Sequence, residues 1–341
     1  MKAIIKTIPL QMFWPTFDPF LFCAFHNDAY PAGNGKLGPN ASLSGRQIGQ
    51  DFSQKDGWSM YHGSEVPGFP AHPHRGFETV TVVNKGYVDH ADSMGAAGRY
   101  GEGDTQWMTA GKGVQHSEMM PLVHTQKSNP LELFQIWLNL PSYNKMVEPH
   151  FSMLWKEDTP IATLRDENDK GIKIKVVAGS LNVDGSALQS LPCPPNSWAN
   201  DKENHVAIWI IDLEVEASWT LPASVRDLSR TLYVFEGEQV QAEDSTVPVN
   251  VALQVKSDAP LAIKNTGSES VRILLLQGKP INENVEQHGP FVMNTRQELQ
   301  QAFFDYQQTQ FGGWRWPSSD QTHGETPRRF ALYADGREET P

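Results

Sequence analysis

Cysteine is nearly absent from this sequence. Only Cys23 and Cys193 occur in 341 residues, and they lie 170 positions apart with no Cys-x-x-Cys pair. This pattern argues against both a disulfide-stapled secreted scaffold and a thiolate zinc site. It favours a reducing compartment, in which we interpret Cys23 as a small buried apolar residue.

Long hydrophobic runs and an excess of positive charge are missing as well. No stretch approaches the roughly 18 apolar residues of a membrane span, and residues 1–13 lack the apolar run of a signal peptide. The 28 Lys and Arg are outnumbered by 40 Asp and Glu, which gives a formal net charge of −12. Nucleic acid and anionic membranes are therefore poor primary partners. The sequence predicts a cytoplasmic protein.

Turn-forming residues and short β runs are abundant instead. The chain contains 27 Gly and 24 Pro, and 39% of its residues are apolar, which is enough for sizeable cores. At roughly 150 residues per domain, its length predicts about two domains. Six apolar runs of strand length lie between clusters of Gly, Pro, Asn and Asp, at residues 79–83, 133–140, 172–177, 206–215, 232–235 and 271–276. Their spacing predicts a mainly β fold of sandwiches or barrels.

A weak internal repeat indicates two copies of one β domain. Gly86 and Gly237 each follow a β run and lie 151 positions apart. Near the midpoint, the polar stretch Lys156–Gly171 is the poorest core material. We therefore expect an N-terminal domain over residues 1–160, a C-terminal domain over residues 170–313, and a tail over residues 314–341 packed on the body.

One short helix is predicted near the C-terminal end. Thr295 and Glu298 form a capping-box pattern, and Leu299, Phe303 and Tyr306 recur at helical spacing before a Gly-Gly pair. We expect this helix to close the edge of a domain.

Two pairs of potential metal ligands have the spacing of β strands. His72 and His74, like His116 and Glu118, are two residues apart, so each pair points to one face of a strand. Two adjacent strands can thus present three imidazoles and a carboxylate to one interior point. Pro73 lacks a backbone N–H, so we expect its strand to lie at a sheet edge.

Three further histidines are also followed by an acidic residue two positions later. We interpret them as solvated turn residues, because they lie among Asn, Ala, Ser and Gly. They are His26 with Asp28, His90 with Asp92, and His323 with Glu325.

The stretches that carry the two pairs of potential ligands resemble the metal motifs of cupin proteins and, more closely, those of the pirin family. His72, His74 and Glu78 match the first cupin motif, and the run Gly113-Val-Gln-His116 matches the second. Four longer runs are similar to pirin signature segments, at residues 72–81, 106–118, 136–141 and 288–294. The tail also resembles that of one bacterial branch of the family.

The resemblance implies a bicupin fold, with two jelly-roll β-barrels and one divalent metal ion in the N-terminal barrel. The implied ligands are His72, His74, His116 and Glu118, and Glu118 replaces Glu78 as the carboxylate ligand. Iron is the usual metal of the family. Imidazole and carboxylate suit Fe(II), with Mn, Ni, Cu and Zn as competitors.

The C-terminal copy is expected to hold no metal. An offset of 151 carries His72 and His74 onto Ala223 and Val225, and the counterpart of the second motif, near Ile263, has no histidine. One metal ion per chain follows.

Two interpretations of Glu78 stay open. Glu78 shares strand parity with His74, so it can face the metal and orient a ligand imidazole. Alternatively, it forms a salt bridge with Arg75 or another surface cation.

Two functions follow from the resemblance. Some pirins show quercetin 2,3-dioxygenase activity, which implies that the chain opens a flavonol or a related small aromatic ring with O₂, and that Glu118 takes the substrate proton. Other pirins resemble redox sensors, which implies an iron-dependent regulator that binds a protein partner.

Overall fold

The structure is a computed structural model that describes residues 2–341. It consists mostly of antiparallel strands, with one α-helix near the C-terminal end, as the sequence predicts. The strands of the first half are β1 (Ile4–Pro9), β2 (Phe20–Tyr30), β3 (Gly68–His74), β4 (Phe77–Lys85), β5 (Tyr87–Asp92), β6 (Ala97–Gly101), β7 (Thr105–Thr109), β8 (Val114–Met119), β9 (Asn129–Asn139), β10 (His150–Leu154), β11 (Ile161–Arg165), β12 (Gly171–Ala178) and β13 (Ser180–Val183).

The second half continues with β14 (Ser186–Gln189), β15 (Ala207–Leu213), β16 (Ser218–Leu221), β17 (Ser229–Glu236), β18 (Gln239–Ala242), β19 (Ser245–Pro248), β20 (Val251–Val255), β21 (Leu261–Asn265), β22 (Val271–Gly278), β23 (Glu286–His288), β24 (Phe291–Met293), α1 (Arg296–Thr309), β25 (Phe330–Leu332) and β26 (Glu338–Glu339). The six apolar runs lie in β4, β9, β12, β15, β17 and β22, because their β-branched and aromatic residues suit a pleated, buried surface.

The chain forms two compact units, and neither is continuous in sequence. The histidine unit comprises residues 24–157 and 283–341, and the aliphatic unit comprises residues 2–23 and 158–282. This division differs from the contiguous domains predicted at 1–160 and 170–313. The reason is pairing across the sequence: β1 pairs with β20 in the aliphatic unit, and β25 pairs with β6 in the histidine unit.

Two antiparallel sheets build the histidine unit. One has the strand order β10-β7-β4-β9-β2, and the other has the order β26-β25-β6-β5-β8-β3. Their inner faces meet, since Thr81 Oγ1 on β4 lies 3.0 Å from Glu118 Oε1 on β8. Strand β3 is an edge strand, which confirms the expectation from Pro73.

The aliphatic unit repeats this strand order. Its two larger sheets run β1-β20-β17-β22-β15-β12-β11 and β16-β21-β18-β19. Each strand from β2 to β9 corresponds to the strand numbered thirteen higher. The order β7-β4-β9-β2 thus matches β20-β17-β22-β15, and the order β6-β5-β8-β3 matches the smaller sheet read in reverse, β19-β18-β21-β16. The internal repeat predicted from the sequence is therefore present in the topology.

The two glycines that indicated the repeat occupy the same turn in each unit. Gly86 (φ 77°) links β4 to β5, and Gly237 (φ 97°) links β17 to β18. A Cβ atom would lie 2.7 Å from the carbonyl oxygen of Pro130 at the first position, and 2.7 Å from that of Ser270 at the second. The left-handed backbone and this close approach both require glycine.

Helix α1 begins with the predicted capping box. The Thr295 side chain accepts a hydrogen bond from the Glu298 N–H, and the Glu298 carboxylate accepts one from the Thr295 N–H at 2.9 Å. The apolar face of α1 packs on β24 through Leu299 and Phe291. Among residues 2–341, no helix combines the length and apolar character needed to cross a membrane.

The tail that follows α1 lies on the histidine unit. The Trp316 indole donates a hydrogen bond to the Asp92 carbonyl oxygen at 2.8 Å, and Arg329 pairs with Glu157 at 2.6 Å. The register of β25 on β6 places Ala331 opposite Gly98.

Candidate metal centre

Strands β3 and β8 bring the three predicted histidines together. The antiparallel register places His72 directly opposite His116, and His74 lies on the same face two residues further along β3. His72 Nε2 lies 3.1 Å from His74 Nε2 and 3.1 Å from His116 Nε2. The ligand atoms of all three lie within 4.8 Å of one another.

Hydrogen bonds fix the orientation of two of these rings. His72 Nδ1 lies 2.9 Å from the Pro70 carbonyl oxygen, and His74 Nδ1 lies 3.4 Å from that of Pro290. A carbonyl oxygen accepts only, so each Nδ1 carries the proton and each Nε2 keeps a free lone pair.

Burial keeps the three rings neutral. It lowers the pKa of His72 to about 4, and it lowers the pKa values of His74 and His116 well below the ordinary value of 6.5. Two Nε2 lone pairs, those of His72 and His74, thus converge on the Nε2 atom of His116, and a cation bound between the three rings would remove the repulsion between the lone pairs. This donor set fits one metal ion.

Glu118 lies beside the cluster on β8. Its Oε2 is 3.6 Å from His116 Nε2, and the side chain is 8% exposed. Oε1 lies 3.0 Å from Thr81 Oγ1, Oε2 lies 3.2 Å from Gln135 Nε2, and Thr81 Oγ1 lies 2.6 Å from Gln135 Oε1. These three side chains form a closed ring.

The ring contains too few protons when Glu118 is ionised. The single Thr81 hydroxyl proton cannot serve both Glu118 and Gln135, and reversing the Gln135 amide only moves the missing proton to the other carboxylate oxygen. All three contacts become hydrogen bonds when Glu118 carries a proton. Burial raises the pKa of Glu118 in the same direction.

Glu78 lies deeper, on β4. It is fully buried, and its Oε1 accepts a hydrogen bond from the Thr109 hydroxyl at 2.6 Å. Arg75, the partner considered from the sequence, pairs with Asp305 at 2.7 Å.

The interpretation of the other histidine pairs as solvated turn residues is wrong for two of the three. His90 and Asp92 are fully buried on β5, with His90 Nε2 3.1 Å from Asp92 Oδ2. Asp28 is fully buried on β2, where it accepts a hydrogen bond from the Tyr61 hydroxyl at 2.7 Å. Pairing of β5 with β6 and β8 buries the first pair regardless of its small polar neighbours.

The third pair lies in the tail. His323 is partly buried and contacts the His90 carbonyl oxygen at 2.7 Å, while Glu325 is exposed.

Helix α1 and the turn after it brace the strands that carry the cluster, a role the sequence did not reveal. Beside His116, the Gln115 amide donates to the Gln310 carbonyl oxygen at 2.6 Å and accepts from the Tyr306 hydroxyl at 3.1 Å. Arg75, which follows His74, pairs with Asp305. The helix therefore anchors both strands that carry the histidine cluster.

Two family models match the chain. The model described as Pirin matches residues 37–138, which include His72, His74, His116 and Glu118. The model described as Pirin C-terminal cupin domain matches residues 209–312.

Similar proteins match most of the chain as well. A pirin-like protein of Solanum lycopersicum is 37% identical over 251 residues, 72% of this chain and 77% of that protein. A Pseudomonas aeruginosa protein named "Putative quercetin 2,3-dioxygenase" is 37% identical over 246 residues, 71% of this chain and 79% of that protein. The crystal structure of a quercetin 2,3-dioxygenase from Acinetobacter baumannii superposes with a TM-score of 0.68 at 25% identity, covering 92% of this chain and 99% of that one.

Proposed function

The chain belongs to the pirin family, and on that basis we propose that it is a metal-dependent dioxygenase that opens a flavonol or a related small aromatic ring with O₂. Its fold is that of a bicupin, with two cupin domains. The observation that carries the proposal is the convergence of three neutral imidazoles, whose potential ligand atoms lie within 4.8 Å of one another, beside the carboxyl group of Glu118. Similarity to two proteins named for quercetin 2,3-dioxygenase supports the choice of reaction.

The proposed ligands are the Nε2 atoms of His72, His74 and His116, with Glu118 as the fourth. Three imidazoles and one carboxylate suit Fe(II), while Mn, Ni, Cu and Zn compete for such a site. When bound, the metal polarises a substrate hydroxyl and lowers its pKa.

Glu118 is the proposed catalytic base. The proton passes from the substrate hydroxyl oxygen to a carboxylate oxygen of Glu118, which leaves the substrate as an oxyanion. Burial raises the pKa of Glu118, so the carboxylate takes up that proton more readily than an exposed one. Thr81 and Gln135 then hold the neutral acid by two hydrogen bonds, and a third bond between these two side chains closes the ring.

The test is metal analysis of anaerobically purified protein, followed by measurement of O₂ uptake with quercetin after loading with iron. We expect close to one iron per chain and uptake that requires quercetin. His74→Ala removes one ligand and is expected to lose both the iron and the uptake.

The matched control is His288→Ala, which removes an exposed histidine of the same unit that contacts Phe303. This variant is expected to keep its iron and its activity. Absence of iron and of every competing divalent metal from the wild-type protein, together with failure to bind added iron, would overturn the metal site. Stoichiometric iron with no quercetin-dependent uptake would contradict the dioxygenase and favour the redox-sensing regulator.

A further inference from the structure

The segment between β2 and β3, residues 31–67, is long and irregular yet firmly built. Buried Arg46 donates to Asp51 at 2.9 Å and to the Trp58 carbonyl oxygen at 2.8 Å, and its guanidinium lies 3.4 Å from the centre of the Trp58 ring. Irregular segments of this length are uncommon in compact domains and usually serve a function such as ligand binding. The buried contacts hold this one in a defined conformation.

This segment extends a cluster of aromatic rings that begins at the metal centre. Phe69 on β3 lies at its middle, with ring centres 5.2 Å from Tyr61, 5.7 Å from His62 and 6.4 Å from Phe52. The His26 ring lies 5.9 Å away, and that of His72, a proposed ligand, lies 6.5 Å away. We call Phe52, Tyr61, His62, Phe69 and His26 the aromatic wall.

Much of the aromatic wall is open to solvent. Phe52 is 37% exposed, His62 is exposed, and Phe69 and His26 are partly exposed. Stacked and edge-on aromatic side chains at a surface, beside a metal centre, form a site that favours a flat aromatic ligand.

A chain of hydrogen bonds behind the wall fixes the proton of His26. Asp28 Oδ1 accepts from the Ser59 N–H at 2.9 Å and its Oδ2 accepts from the Tyr61 hydroxyl at 2.7 Å, so the Tyr61 proton points to Asp28. The Tyr61 oxygen lies 2.9 Å from His26 Nδ1, which must therefore donate to it. Burial lowers the pKa of His26 to about 4, so the ring is neutral and Nε2 is a hydrogen-bond acceptor.

Tyr61 holds this arrangement in a strained conformation. Its φ is 55°, in the left-handed region that a bulky residue rarely adopts. Such strain persists where the surrounding structure requires one side-chain position, and it is concentrated at binding and catalytic sites.

We propose that the aromatic wall binds the substrate, a planar aromatic compound that carries a hydroxyl group. Its ring stacks against Phe69 and Phe52, and the hydroxyl donates a hydrogen bond to His26 Nε2. This inference rests on the proposed function and adds the residues that select the substrate. The segment 31–67 contributes Phe52 to the stacking surface and, through Tyr61, fixes the proton of His26.

Equilibrium binding to the full chain loaded with Zn(II) tests the wall without turnover. The probes are quercetin, which carries hydroxyl groups, and flavone, which lacks them. His26→Phe keeps an aromatic ring and removes the acceptor, so we expect about tenfold weaker binding of quercetin and unchanged binding of flavone. Phe52→Ala removes part of the stacking surface and is expected to weaken binding of both probes by about two- to tenfold.

Phe304→Ala is the matched control, since Phe304 is a 56% exposed aromatic residue on α1 outside the wall. It is expected to bind both probes like the wild-type protein. Zinc content and unfolding temperature, measured on every variant, show whether each still folds. Because Phe52 is exposed, its variant remains informative even where His26→Phe fails to fold.

Two results would overturn the proposal: wild-type protein that binds neither probe, or folded wall variants that bind both probes unchanged. Failure of the proposed function is distinct. If iron-loaded protein takes up no O₂ with quercetin while His26→Phe still weakens quercetin binding, the wall stands and the dioxygenase does not. If uptake occurs and the wall variants keep the wild-type KM, the dioxygenase stands and the aromatic wall is not the substrate site.

Discussion

The histidine unit and the aliphatic unit share a strand order and differ in what fills them. Thr81 and Leu232 lie at matching positions, five residues before Gly86 and Gly237. Thr81 contacts Glu118, whereas Leu232 is fully buried in an aliphatic core. Strands β3 and β8 oppose His72 to His116, whereas β16 and β21 oppose Trp219 to Ile263. A few inward-facing side chains thus decide whether one backbone carries a buried histidine cluster or a hydrocarbon core.

The largest expected difference between the two units is their stability in acid: in the metal-free protein, the histidine unit is expected to lose more stability than the aliphatic unit. Seven histidines of the histidine unit have pKa values lowered by burial, four of them strongly, whereas residues 158–282 contain one histidine, His205. As the pH falls from about 6.5 towards 4, the unfolded chain binds protons that the folded histidine unit does not bind, so this unit loses stability. The four are His26 and His72, each with a pKa of about 4, and His74 and His116, whose pKa values lie well below 6.5.

Three carboxyl groups offset part of this loss. Burial raises the pKa of Asp28 to about 6 and raises the pKa values of Asp104 and Glu118, so the folded unit takes up these protons as the pH falls. Amide hydrogen exchange at pH 7 and pH 5, corrected for intrinsic exchange rates, measures the net effect. We expect β3 and β8 to lose protection while β16 and β21 keep theirs, and equal loss in both units would contradict the comparison.

Leu232→Thr introduces into the aliphatic unit the threonine that the histidine unit has at the matching position, Thr81. It removes buried apolar volume and leaves a hydroxyl in a hydrocarbon core, so the free energy of unfolding is expected to fall by about 2–5 kcal/mol. Denaturant unfolding measures the loss. Leu232→Met, which conserves volume, is expected to cost less than about 1.5 kcal/mol. A loss of bound metal from Leu232→Thr would show that the units are not independent.

Thr81→Val is expected to have the smallest effect, and it tests the matching position in the histidine unit. It keeps the shape of the side chain and removes the hydroxyl that contacts Glu118 and Gln135. Metal affinity or quercetin-dependent O₂ uptake is expected to fall by about ten- to a hundredfold, the usual cost of losing a group that orients a metal ligand. Thr81→Ser keeps the hydroxyl and should retain both properties. Wild-type values for Thr81→Val would show that Glu118 needs no support from β4.

Local pattern was sufficient to predict the six most apolar strands, the two strands that carry the histidine cluster, the capping box at Thr295 and the edge position of Pro73. Each of these depends on residues close together in sequence. The convergence of His72, His74 and His116 was likewise predictable, because two-residue spacing needs only one pairing of strands.

Contacts between distant segments were not predictable from local pattern. Thr81 and Gln135 meet Glu118 from two other strands, and Tyr306 reaches Gln115 from 191 residues away. A constant offset of 151 also fails locally, since it carries His72 to Ala223, beyond the end of β16. Strand pairing, rather than sequence distance, identifies the matching elements.

The hydrogen bond between His74 Nδ1 and the Pro290 carbonyl oxygen has a consequence for biosynthesis. The two residues are 216 positions apart, so at a ribosomal rate of about 5–20 residues per second Pro290 is made on the order of ten seconds or more after His74. All three clustered histidines emerge in that interval without the carbonyl that fixes the His74 ring. A nascent chain therefore exposes the three clustered histidines before it can hold them in their final arrangement, and the order of synthesis postpones completion of the site.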